Sequence, residues 1–262
     1  MTAEWFRAAL QHDRAIVLGS LTFVVLLAWG YLVSGAGIRM EEMDMGGGQI
    51  MAMPPEWSWS YGVVVFVMWS VMMLAMMLPS VAPVTLLVAA VAKKQREAGT
   101  APGMRTLPFA LGYLAVWSGF AAVATLLQWQ LDEAELLSET MALGSTVVAG
   151  AVLITAGIYQ WSPLKQACLR HCRSPLQFLM HHWRDGAPGS FVSGVRHGAF
   201  CLGCCWMLMA LLFVGGVMNL AWILGIALLV LIEKTGPWGG RMALVTGAVM
   251  VIWGAVVIAA AA

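Results

Sequence analysis

Charge is what this sequence has least of. Its 262 residues include 14 Lys and Arg and 13 Asp and Glu, 10% of the chain, against an apolar fraction of 61%. Soluble domains carry about a quarter charged residues, so a globular domain that covers itself in water is excluded before any motif is read. The net charge of +1 provides no basic patch to neutralise phosphates, which argues against a nucleic-acid partner. A phosphate-cradling glycine loop with its lysine is missing, so this chain carries no sign of ATP-driven pumping. Neither a Ser-His-Asp arrangement nor a Cys-x-x-Cys-His haem attachment motif stands out.

Long apolar runs are what the sequence has instead. A bilayer core about 30 Å thick needs about 20 apolar residues per helix, and candidates fall at 15–34, 61–91, 107–130, 142–161, 197–215, 218–233 and 239–261. The expected fold class is therefore all-α, a polytopic transmembrane bundle of about seven helices in one domain spanning 1–262. The run at 16–33 follows Arg7 and Arg14 but lacks a small-residue cleavage site, so it reads as a retained helix and not a cleaved leader. Gly215 and Gly216 predict a short tight hairpin between the fifth and sixth helices. Pro79 and Pro83 predict a kink or break in the second.

Lys and Arg in short loops set orientation. The 92–106 loop holds Lys93, Lys94, Arg96 and Arg105, and 162–196 holds Lys165, Arg170, Arg173, Arg184 and Arg196. The 35–60 loop carries Glu41, Glu42, Asp44 and Glu56 against Arg39, and 131–140 carries Asp132, Glu133, Glu135 and Glu139 with no basic residue. This alternation predicts an amino terminus inside and a carboxyl terminus outside. Trp57, Trp59, Trp129, Trp161 and Trp238 sit at span ends, as an interfacial aromatic belt requires.

Sulfur is concentrated in three places. The outer loop 35–60 is acidic and rich in methionine, with Met40, Met43, Met45, Met51 and Met53 beside Glu41, Glu42 and Asp44. Thioethers are soft, neutral ligands suited to copper(I), although the same methionines could line a membrane surface. Within the second helix, Met68, Met72 and Met76 share one face with Met73 and Met77 beside them. Such a stripe could relay copper(I), or could be flexible core packing. The basic inner loop 162–196 contains Cys168, His171 and Cys172, and His197 precedes Cys201, Cys204 and Cys205. Arg170, Arg173 and Arg196 nearby would favour thiolates, which bind copper(I) or zinc; packing as small apolar residues is the alternative. His181 and His182 read as solvent-facing loop residues. Asn219 reads as a helix cap at the hairpin turn. Glu233, followed by Lys234, reads as an interfacial ion pair or as a functional acid.

Four separate segments also resemble one family. The run 68–79 with its five methionines, the run Gly157-Ile158-Tyr159-Gln160-Trp161-Ser162-Pro163-Leu164-Lys165, and the stretches 168–175 and 198–219 together resemble the DUF2182 family of bacterial integral membrane proteins. That family is described as predicted metal-binding, and the resemblance spans about 60–235, leaving out the first helix and its loop. It implies a metal role for the matching cysteines and methionines and names no reaction.

The reading that follows is a copper-handling membrane protein. Methionines such as Met43 and Met45 capture the ion, the stripe through Met72, Met73, Met76 and Met77 passes it, and the Cys/His cluster holds it for a partner, a metallochaperone or a membrane metalloenzyme. A metal-dependent or thiol redox enzyme and a structural or assembly subunit remain as alternatives.

Overall fold

The computed structural model describes residues 2–37, 41–44, 50–53, 57–99, 105–138 and 141–261, with the backbone alone given for 2–14, 41–44 and 50–53. Helix α1 (Thr2–Val33) leads into a short antiparallel hairpin, β1 (Glu41–Asp44) and β2 (Ile50–Met53). There Glu41 stands opposite Met53 and Met43 opposite Met51. The helices that follow are α2 (Trp59–Glu97), α3 (Thr106–Glu133), α4 (Thr146–Gln160), α5 (Pro163–Arg173), α6 (Pro175–His182), α7 (Gly186–Ala210), α8 (Leu212–Gly215), α9 (Leu220–Thr235) and α10 (Gly239–Ala259).

Local chemistry marks where these helices begin. The hydroxyls of Ser58, Ser145 and Ser162 accept from the amides of Tyr61, Val148 and Lys165 at 3.2, 3.4 and 3.1 Å, each an N-cap. As expected, Asn219 caps α9, its Oδ1 accepting from the Trp222 amide at 3.2 Å. Ser162-Pro163 and Ser174-Pro175 start α5 and α6 with proline in the first turn, where its missing N–H costs nothing.

The helical class is as predicted, and the spans differ in detail. Among the described residues five helices are long and apolar enough to cross a membrane, or six when α4 and α5, bent by 63° at Trp161-Ser162, count as one. The expected sixth span is α9, only 16 residues long, so seven qualifying spans are not reached. The stretch 162–196, expected as an inner loop, is folded as α5, α6 and the first turns of α7; its charge density masked three proline- and glycine-started helices. Helix α2 runs unbroken for 39 residues with Pro79 and Pro83 inside it. Between α7 and α9 the chain reverses through α8 and Gly216, whose φ of 94° suits a residue without Cβ.

Glycine lets two helix pairs approach closely, as small residues do in apolar surroundings. On α3 and α7, a methyl at Gly112 or Gly194 would collide with the carbonyl of Phe191 or Phe109. On α4 and α10, Gly157 meets the carbonyl of Gly247 in the same way. The core runs along α2, where Val65, Met68, Trp69, Met72 and Met73 are buried. Trp69 donates from Nε1 to Gln128 Oε1 at 2.7 Å there, which satisfies two buried polar groups.

Candidate metal centre

Helix α7 supplies the densest sulfur. Cys201, Cys204 and Cys205 occupy positions i, i+3 and i+4, so they share one face, and that face is buried, with exposures of 2%, 1% and 1%. Cys204 and Cys205 direct their thiols back along the helix, donating to the Cys201 carbonyl at 3.1 and 2.9 Å. Opposite them α5 presents Cys168 and Cys172, also one turn apart. Cys172 Sγ lies 3.9 Å from Cys204 Sγ, and Cys168 packs against Gly203, where a side chain would displace it. All five thiols are free.

Three further helices complete the cluster. From α3, Tyr113 places its hydroxyl 3.1 Å from Cys201 Sγ and also reaches the Met77 carbonyl at 3.4 Å. Helix α2 contributes Met77 itself, and α9 contributes Lys234. The Lys234 Nζ donates to Cys201 Sγ at 2.9 Å, Cys205 Sγ at 3.5 Å and Met77 Sδ at 3.6 Å. The far end of the methionine stripe thus meets the cysteine group.

A second buried pair holds Lys234 in place. Its neighbour Glu233 turns the other way, accepting from Lys165 Nζ at 2.6 Å and Gln160 Nε2 at 2.9 Å, while Arg173 Nη1 donates to its backbone carbonyl at 2.7 Å. The expected ion pair between Glu233 and Lys234 is therefore absent. Adjacent helical residues point about 100° apart and cannot face one another, a signal in the sequence that would have separated the two. Lys165, Tyr113 and Gln160 were not legible as site residues, because their relevance depends on which helices pack together.

The remaining candidates are placed as follows. His197 lies one turn before Cys201, buried among Phe109, Tyr113 and Phe178, and its Nδ1 has no hydrogen-bond partner. His171 is not brought onto the sulfurs by any described contact. Its ring stacks on Phe200 at 4.2 Å and its Nδ1 bonds the Ala167 carbonyl, because aromatic packing claims that face of α5. His181 is exposed as expected, but His182 is half-buried and stacks on Phe178. Met68, Met72, Met73 and Met76 are buried in the core of α2, and of the stripe it is Met77 whose sulfur makes a described polar contact with the cluster. The side chain of Met43, and Met45 altogether, lie outside the described residues.

Chemically, the cluster joins thiols and a thioether in a water-poor interior, a donor set that matches soft, low-coordinate copper(I). Among the described residues no group of three or more His, Cys, Asp or Glu side chains is arranged to hold a metal ion. The convergence here is of two cysteines, one methionine and one ammonium. Comparison with curated proteins and with solved structures gives no match. Residues 66–257, which include every cluster member, match the PpoB2 family, described as copper chaperones. The chain belongs to that copper chaperone family.

Proposed function

We propose that this protein is a membrane-embedded copper(I) carrier that holds the ion on sulfur and delivers it to a partner metalloprotein. The observation that carries this reading is the convergence of Met77, Cys201 and Cys205 on one buried point. Cysteine and thioether ligands favour the monovalent state of copper, and a chaperone must release as well as bind. A site in which one position is thioether and another is shared with a lysine suits release better than a closed thiolate quartet would.

The chain lies in a bacterial inner membrane, with its basic stretches on the cytoplasmic side. Arg105 donates from its amide to Ser190 Oγ at 3.1 Å, which ties the 92–106 stretch to the start of α7 at one end of the bundle. With α9 crossing as a short span, the termini fall on opposite faces, the amino terminus inside. Ions gathered by the methionine-rich hairpin pass along Met72, Met73 and Met76 to Met77 and the cysteines. The receiving partner is a metallochaperone or a membrane metalloenzyme.

Elemental analysis of the purified, reduced protein after copper(I) loading tests the reading. Copper should be retained by the native chain and lost when Cys201, Cys204 and Cys205 are together replaced by serine. Copper no higher than in an unloaded control would end it. A thiol redox role is the second reading, favoured by the 3.9 Å separation of Cys172 and Cys204. Reversible loss of two titratable thiols at those positions, without metal binding, would select it.

A further inference from the structure

An ammonium group buried among sulfurs calls for a physical account. Lys234 is 5% exposed and makes no ion pair with a carboxylate among the described residues. The nearest acid in sequence, Glu233, is committed to Lys165 and Gln160. An isolated cation in an apolar interior is strongly unfavourable unless something balances it. The groups that surround the Lys234 Nζ are Cys201 Sγ, Cys205 Sγ and Met77 Sδ, at 2.9, 3.5 and 3.6 Å. Electron-rich sulfur is what faces the ammonium, with Cys201 nearest, and the three sulfurs form a cradle already filled by one positive charge.

We infer that the Lys234 ammonium is the resident cation of this sulfur cradle and that the site loads a soft monovalent ion, copper(I) or silver(I), by exchange with it, while excluding divalent zinc. The inference rests on the proposed copper-carrier reading and adds the basis of selectivity. Copper(I) brings one positive charge and takes the sulfurs that the ammonium leaves. Lys234 keeps its proton and withdraws on its four-carbon stem toward the Gly236–Trp238 end of α9, as long basic side chains do where apolar surroundings end. The cradle carries the same charge before and after. Zinc would bring one charge more, which the cradle could balance only if a second cysteine, Cys205, gave up its proton in the apolar interior, a cost the monovalent ion does not meet. Exchange also makes release intrinsic, since the returning ammonium restores the metal-free arrangement as the ion moves to a partner.

Two measurements on the full chain in detergent micelles test this. In the first, reduced native protein and the Lys234→Met and Lys234→Arg variants are titrated with copper(I), silver(I) and zinc against chelators of known affinity. The native chain should prefer copper(I) and silver(I) over zinc. Lys234→Met should narrow that preference by about tenfold or more, through gained zinc affinity. Lys234→Arg, which keeps the charge, should preserve it. In the second, native protein alone is treated with an amine-acylating reagent and Lys234 modification is read by peptide mass spectrometry. The residue should be inert without metal and should become reactive once silver(I) is bound. This measurement does not depend on any variant folding. An unchanged zinc-to-copper ratio in Lys234→Met, or unchanged Lys234 reactivity on silver loading, overturns the exchange while leaving the carrier reading standing. A native chain that binds neither monovalent ion overturns both.

Discussion

Lys165 and Glu233 meet at 2.6 Å with side-chain exposures of 0% and 2%, an ion pair sealed inside the protein that joins α5 to α9. By occupying Glu233, this pair leaves the adjacent Lys234 to the sulfurs. It thus works as a bracket for the candidate site as well as a tertiary contact.

Breaking that bracket should be expensive. Lys165→Met leaves the Glu233 carboxylate with Gln160 alone, and removing one partner of a buried pair costs about 3–5 kcal/mol. The double variant Lys165→Met/Glu233→Met should recover much of the loss, because no charge is then left uncompensated. Thermal unfolding in detergent distinguishes the two, and equal losses would contradict the bracket.

Met77 and Met68 should separate a ligand from a packing methionine. Both are buried in α2, with exposures of 1% and 0%, but it is Met77 whose sulfur reaches the cluster. Exchange of Met for Leu preserves volume and is usually tolerated at under about 1.5 kcal/mol. Met77→Leu should therefore weaken copper(I) binding by about tenfold or more at nearly unchanged stability, whereas Met68→Leu should leave affinity as it was. Chelator competition reads the difference.

Gly194 and Gly225 should respond to alanine in opposite directions. A Cβ at Gly194 runs into the backbone of Phe109, and no atom lies within 4 Å of one at Gly225. Overpacking against backbone costs about 1–3 kcal/mol, while Gly→Ala in an open helical position gains roughly 0.5–1 kcal/mol. Unfolding midpoints of the two variants check the signs.

His182 predicts a limb of acid sensitivity. Burial, with Arg196, His171 and His181 nearby, holds its imidazole below the ordinary value of 6.5. The unfolded chain takes up the proton first, so this contribution to stability is present above pH 6.5 and is lost as pH falls through the lowered folded value. His182→Phe should flatten that part of the stability–pH curve. An unaltered slope between neutral and mildly acidic pH would remove His182 as its source.

The helical class was legible because apolar runs of this length have few other solutions, and Asn219 was legible as a cap because its role is local. The soft-ligand chemistry was legible from cysteine and methionine alone. The identity of the meeting point was not, since Met77, Cys201 and Lys234 come from three helices, with Met77 157 residues from Lys234 and Cys201 33 residues from it. The helices within 162–196 were missed for a different reason. Charge density suggested solvent, while the serine–proline starts at Ser162-Pro163 and Ser174-Pro175 pointed to helices.

The length of α2 also acts as a depth gauge. Met77 stands 18 residues beyond Trp59, about 27 Å along a helix that rises 1.5 Å per residue. Trp59 is 94% exposed, and in the membrane reading it belongs at the outer lipid–water boundary. With a hydrocarbon layer about 30 Å thick, the sulfur cradle then lies just beneath the opposite boundary. Cargo held there is within a side chain's reach of water on the inner side and nearly a full bilayer away from water on the outer. Such a shallow berth favours hand-over on one face, and the return of Lys234 closes it behind the departing ion.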